Sequence, residues 1–179
     1  MINRLKIAAQ ALLYFAATAP FAPAMAAPAV SSATGTVSVI KPLSLSSVSE
    51  MSFGRLQPIG STDVGLMTLS ASTSPKITAR GVSTLPGSPP TAAIRSVSGE
   101  PNRAYRISLP ASVTSSPGGY LVTAFTLAST NQGDITTTLF GRLNPAGKDT
   151  LFIGGTIGLP KGAKQGIYTA RIPITLSYE

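Results

Sequence analysis

The chain contains no cysteine, no histidine and no tryptophan. Without cysteine there is no disulfide, no thiolate metal ligand and no thiol nucleophile. Without histidine there is no imidazole base, no Ser-His-Asp triad and no imidazole-ligated zinc. Carboxylates are scarce as well, with six Asp and Glu among 179 residues. Charged residues make up 11% of the chain, against about a quarter in an ordinary globular protein. Most familiar enzyme chemistry is closed to such a sequence. Neither hydrolytic nor redox turnover is expected, and no cofactor is called for.

What is present is glycine (17), proline (15), much serine and threonine, and a net charge of +8. Beyond the N-terminus the cations from Lys41 to Arg171 are spread singly, Arg95 and Arg106 among them. Nucleic-acid binding wants a clustered basic stripe with aromatics, and neither occurs. These cations read as solvated faces and turns, and no nucleic-acid partner is expected.

Residues 1–26 read as a secretory signal peptide. Arg4 and Lys6 give the positive start, Ile7 to Phe15 is an apolar run broken only by Gln10, and Ala24-Met25-Ala26 supplies small residues for cleavage. Pro20 and Pro23 stop the run short of the roughly 20 residues a membrane span needs. Cleavage after Ala26 leaves no integral span. The product is expected beyond the inner membrane, in the periplasm, a fimbrium or the cell surface. About 150 residues remain, enough to bury some two-thirds of their unfolded surface without disulfides.

The remainder is rich in strand patterns and shows no convincing helical period. Val37, Val39 and Ile40 precede Pro42, and Leu43 and Leu45 follow it. Met51–Leu56 and Val64–Leu69 read as strands around a Gly60–Asp63 turn. Residues 71–91 carry Pro75, Gly81, Pro86, Gly87, Pro89 and Pro90 and read as loop with one short strand near Ile77. Tyr105, Ile107 and Leu109 alternate with Arg106 and Ser108 up to Pro110, which predicts buried Ile107 and Leu109 and exposed Arg106. Ser115–Gly119 reads as a turn and Tyr120–Leu127 as a strand. Leu151, Ile153, Gly155, Ile157 and Leu159 share one face, with Phe152, Gly154, Thr156 and Gly158 on the other. Strict alternation returns at the end, Tyr168, Ala170, Ile172, Ile174, Leu176 and Tyr178 against Thr169 through Ser177. Many short strands spaced by Gly/Pro turns predict an all-β, immunoglobulin-like antiparallel β-sandwich.

The last strand carries the most information. Gly166 stands fourteenth from the end, apolar residues follow at alternate positions, and Tyr178 is penultimate. This resembles the C-terminal pattern of chaperone–usher pilins, whose sandwich lacks one strand and takes it from another chain. An open edge leaves backbone groups unpaired, and its alternate side chains line a groove. On that resemblance Gly166, Tyr168, Ile172, Ile174, Leu176 and Tyr178 are the candidate assembly residues. Alternation alone fits an ordinary last strand equally. A wider resemblance covers nearly all of the chain after residue 26. Met51-Ser52-Phe53-Gly54-Arg55-Leu56, Ala104–Pro110, Gly141-Arg142-Leu143, Leu151–Ile157, Gly166-Ile167-Tyr168 and Ile174–Tyr178 resemble the bacterial domain-of-unknown-function family numbered 4402, exported pilin-like domains. Pro173 departs from that family, which has a ladder-forming residue there.

With the signal peptide (1–26) set apart, the resemblance divides the rest into an N-terminal extension (27–35) and a pilin-like sandwich (36–179). It makes the extension a candidate donor strand, with Val30, Ala33, Gly35, Val37 and Val39 as its side chains. Val37 and Val39 belong either to it or to the first core strand. It implies like subunits as partners, together with a periplasmic chaperone and usher. The alternative is a self-complete cell-surface module for a sugar or matrix ligand.

Three weaker features take ordinary readings. Gly154-Gly155 with Gly158 lacks the helix and Lys-Ser/Thr of a phosphate loop and reads as a bulge or close backbone packing. Glu50, Asp63, Glu100, Asp134, Asp149 and Glu179 show no spacing that selects a catalytic pair or a calcium loop, and read as turn and surface acids. Phe53, Phe125 and Tyr168 read as core aromatics.

Overall fold

The computed structural model describes residues 38–59 and 64–179. Residues 1–26, read as a signal peptide, the candidate donor positions Val30, Ala33, Gly35 and Val37, and the expected Gly60–Asp63 turn lie outside the described residues. Val39 lies inside them, 90% exposed and in no strand.

Fourteen strands and no helix occur among the described residues. They are β1 (Ser44–Ser49), β2 (Met51–Pro58), β3 (Gly65–Leu69), β4 (Ile77–Arg80), β5 (Val82–Leu85), β6 (Ala93–Ser98), β7 (Ala104–Ser108), β8 (Val113–Ser116), β9 (Leu121–Ser129), β10 (Gly133–Asp134), β11 (Phe140–Arg142), β12 (Lys148–Leu159), β13 (Gly166–Ala170) and β14 (Thr175–Tyr178). Every pairing is antiparallel. The larger sheet runs β1-β6-β12-β9-β8-β13-β2-β5, with β3 and β4 attached beside β12 and β10 beside β9. The smaller sheet is β11-β7-β14.

β12 organises the larger sheet. Its first half pairs with β6 and its second half with β3, while β9 runs along its other side. β3 pairs with β4, and Gly81, at φ +69°, bends β4 directly into β5. β5 pairs with β2, β2 with β13, β13 with β8 and β8 with β9. One end of the sheet therefore closes on itself as a barrel. At the other end the small sheet packs over it as a sandwich layer, and Tyr105 of β7 reaches Asp149 of β12. Strand alternation fills the interior with Met51, Phe53, Leu56, Met67, Leu69, Val97, Tyr105, Ile107, Leu151, Ile153, Ile157, Leu159 and Tyr168, all 2% exposed or less.

The all-β antiparallel sandwich expected from the sequence is the fold found. Ile107 is buried and Arg106 exposed, as the alternation requires, but Leu109, expected buried, is only half-buried because β7 ends at Ser108. Residues 71–91 hold two strands where one was expected, because Gly81 bends the chain instead of ending it. β6 was not anticipated. The glycine-rich stretch of β12 does face a bulge, since three β9 steps from Thr123 to Thr126 answer two on β12 from Thr156 to Gly154.

Two single-residue expectations are corrected. Arg95 is 4% exposed, not on a solvated face. Alternation puts it inward between Ala93 and Val97, where Ser47 Oγ, the Ser49 carbonyl and Glu50 accept its hydrogen bonds at 2.9, 2.6 and 2.8 Å. Asp149 is likewise 4% exposed, not a surface acid. Its Oδ2 accepts from Tyr105 and Ser129 and its Oδ1 from the Thr150 N–H, so its charge is met by three donors instead of water.

Candidate functional site: the open flank at the C-terminal strand

The final alternating run is two strands with different neighbours. β13 is flanked on both sides, by β2 and by β8. Residues 171–174 belong to no strand. β14 then joins the other sheet, where among the described residues it pairs with β7 alone. Alternation survives the change: Tyr168, Ala170 and Ile172 are buried, and Ile174, Leu176 and Tyr178 half-buried, while Arg171, Pro173, Thr175 and Ser177 are exposed. Pro173 sits in the crossover, so its missing N–H interrupts neither ladder.

Of the six residues singled out from the sequence, three fall on an open edge. Ile174, Leu176 and Tyr178 turn toward the core along or beside a strand whose outer side pairs with nothing among the described residues. Tyr168 and Ile172 are core residues, each 2% exposed. Tyr168 packs on Tyr120, with ring centroids 5.6 Å apart, and donates to the Lys164 carbonyl. Burial raises its hydroxyl above the ordinary tyrosine range, and Tyr120 adds to this. Gly166 opens β13, and a Cβ there would meet nothing closer than 3.8 Å, so no steric need for glycine exists at that position.

The facing edge belongs to the other sheet. Among the described residues β1 pairs only with β6, and its inward Leu45, with Leu43 before it, is half-buried against the core. Two polar ties cross this flank. At one end Tyr178 donates to the Lys41 carbonyl (2.7 Å) and accepts from the Glu100 N–H (2.6 Å), while the Glu100 carboxylate accepts from the Lys41 N–H (2.9 Å). At the other end Arg95, bonded to β1 as above, also reaches the Ile172 carbonyl at 3.5 Å. Burial pushes the Glu50 carboxyl up, but hydrogen bonds from Arg95 and Ser47 and the charges of Arg95 and Arg171 outweigh this and hold it below the usual range. Between the ties lies a flank with strand edges on both sides and half-buried apolar side chains. It can accept backbone hydrogen bonds and apolar side chains from an extended segment.

The sequence model of a domain of unknown function, DUF4402, matches residues 43–178. The chain belongs to this family. No curated protein matches, and no solved structure does. The DUF4402 match begins just before β1 and ends on Tyr178, so it takes in both edges of the flank.

A second feature of the DUF4402 domain lies elsewhere. A cavity of about 290 Å³ opens beside β9 and β10, lined by Ser70, Ala71, Thr126, Leu127, Ala128, Gly133, Asp134 and Thr136. The Thr136 N–H donates to Asp134 Oδ1 at 2.9 Å and holds that carboxyl below its ordinary range. No sequence pattern marked this place, because its residues come from three separated stretches of chain.

Proposed function

We propose that the chain is an exported structural subunit of a fimbrial or other cell-surface assembly, joined to like subunits by β-strand addition at β14. The observation that carries this reading is the edge itself: a strand paired on one side only among the described residues, with Ile174, Leu176 and Tyr178 half-buried at alternate positions. The other free edges are less suited. All four residues of β4 are exposed and it ends in Arg80. On the far side of the small sheet, Asn131 caps the Arg142 carbonyl of β11. The signal-peptide pattern of residues 1–26 supports export, and an assembly subunit of this kind needs no catalytic group. A periplasmic chaperone and usher are the partners this reading calls for.

Leu176→Asp tests it, by placing an unpaired charge where an apolar side chain is wanted. The wild-type chain is expected to form multimers and to bind a peptide of residues 27–39. The variant is expected to lose both, with peptide affinity falling by about tenfold or more, equivalent to ~1.4 kcal/mol. Ile174→Ser repeats the test with a smaller perturbation should Leu176→Asp fail to fold. Pro173→Val, outside both ladders, leaves binding unchanged. Multimers and peptide binding persisting in a folded Leu176→Asp protein overturn the proposal. A self-complete surface module instead predicts a monomer that ignores the peptide.

A further inference from the structure

The cavity beside β9 adjoins a close backbone approach that only glycine permits. Gly154 of β12 lies between Ser70 and Thr126, and a Cβ on it would stand 2.6 Å from both the Ser70 carbonyl carbon and Thr126 Oγ1. With no side chain there, the two hydroxyl residues close in from either side. Beside β9, the adjoining β10 places Asp134, an exposed residue, in register with Ala128.

The polar groups are not fully used. Asp134 Oδ1 takes the Thr136 N–H, and Oδ2 has no partner among the described residues. Ser70 Oγ accepts from the Lys76 N–H at 2.8 Å, and its own proton is free to be donated. Thr126 Oγ1 is buried with no hydrogen-bond partner, a state that costs about 1–3 kcal/mol. Thr126 itself lines the cavity. An apolar surface adjoins: Ala128 lines the cavity, and half-buried Phe152 stands opposite it in register on the same face. The next row across this face is Thr78, Thr68, Thr156 and Thr123, uncharged on four adjacent strands.

These features select a ligand class. No cation lines the cavity, and Asp134 repels an anion. One carboxylate is too few for a metal site of hard oxygen ligands. A wholly apolar ligand would strand the polar groups. A neutral polyol meets all of them, its hydroxyls donating to Asp134, accepting from Ser70 and exchanging with Thr126, and its C–H face lying on Ala71 and Ala128. The volume is at the small end of ligand sites, about 300 Å³, which suits one ring and not a chain. We propose that this cavity binds one ring of a neutral saccharide. The site is separate from β14 and does not depend on strand addition.

The test is an amide-shift titration of the isotope-labelled full chain with glucose, galactose, mannose and N-acetylglucosamine. Cationic glucosamine and anionic sialic acid serve as charged counterparts. At least one neutral sugar is expected to shift the amides of residues 70–71, 126–128 and 133–136 saturably. Asp134→Asn keeps the Thr136 acceptor but loses the charge, and Ala71→Leu fills the space. Each is expected to weaken that sugar by about tenfold or more with the melting temperature preserved. Leu176→Asp is expected to leave sugar binding intact, which separates this site from the assembly edge. The proposal is overturned if no neutral sugar saturates these amides, if a charged sugar binds better, or if both cavity variants bind as the wild type does.

Discussion

Tyr105, Asp149 and Ser129 answer one another's needs inside the sandwich. A buried carboxylate without a cation survives only if donors replace its water, and the two hydroxyls do so at 2.6 and 2.7 Å. Burial raises the Tyr105 hydroxyl far above its ordinary range, and the hydrogen bond and charge of Asp149 raise it further. A group raised on folding contributes stability that is complete below its unfolded pKa, about 10 for tyrosine. That stability is lost as pH climbs from there toward the folded value. Alkaline destabilisation should therefore begin near pH 10. Tyr105→Phe should cost about 1–3 kcal/mol at neutral pH by leaving Asp149 a donor short, and should flatten the alkaline slope. Urea midpoints between pH 7 and 11 measure both, and an unchanged slope refutes this account of Tyr105. The buried positions of Asp149 and Arg95 were readable in principle. Asp149 precedes Leu151, Ile153 and Ile157 in step, and Arg95 lies between Ala93 and Val97. Their charge suggested water, but periodicity decided their facing, and local donors and acceptors made burial tolerable.

Within β12, two glycines on the same outward face differ in what surrounds them. A Cβ on Gly154 would lie 2.2 Å from the Leu69 carbonyl oxygen, and that backbone cannot swing aside. A Cβ on Gly158 would meet Val64 and Leu66 at 3.6 and 3.7 Å, ordinary contact. Gly154→Ala is expected to destabilise by about 1–3 kcal/mol or more through overpacking. Gly158→Ala should stay within about 0.5 kcal/mol of wild type. Equal thermal shifts for the two would contradict the close approach of β3 and β9 at Gly154. At this scale the sequence gives the glycines' setting correctly, as bulge and close packing, but not which of them is indispensable. The last strand has the same limit. Its alternation continues unbroken through residues 171–174, because the inward side chains stay inward while the chain passes from one sheet to the other. A pattern in one strand carries no mark of which neighbour the strand pairs with.

Across the whole molecule, the barrel end has its strands closed in a ring, and the sandwich end leaves β1 and β14 as edges of different sheets. The flank between them is held by the Tyr178–Lys41–Glu100 contacts and by Arg95. A segment that binds only the folded chain must stabilise it by mass action. The peptide of residues 27–39 at about 100 times its Kd should add ~2.7 kcal/mol to the stability of the wild type. It should add nothing to Leu176→Asp. A melting temperature that ignores the peptide at saturating concentration speaks against a strand-sized vacancy on this flank. The sequence by itself determined the antiparallel all-β class, the face on which Ile107, Leu151, Ile153 and the 168–178 series lie, and the absence of thiol and imidazole chemistry. These follow from residue type and a period of two, which are local. Only the tertiary structure decided that β13 is enclosed and β14 is an edge, that Arg95 and Asp149 are buried, and that Ser70, Thr126 and Asp134 share a cavity. Each of those depends on which distant segments become neighbours, and pairing is settled by the packing of the whole interior.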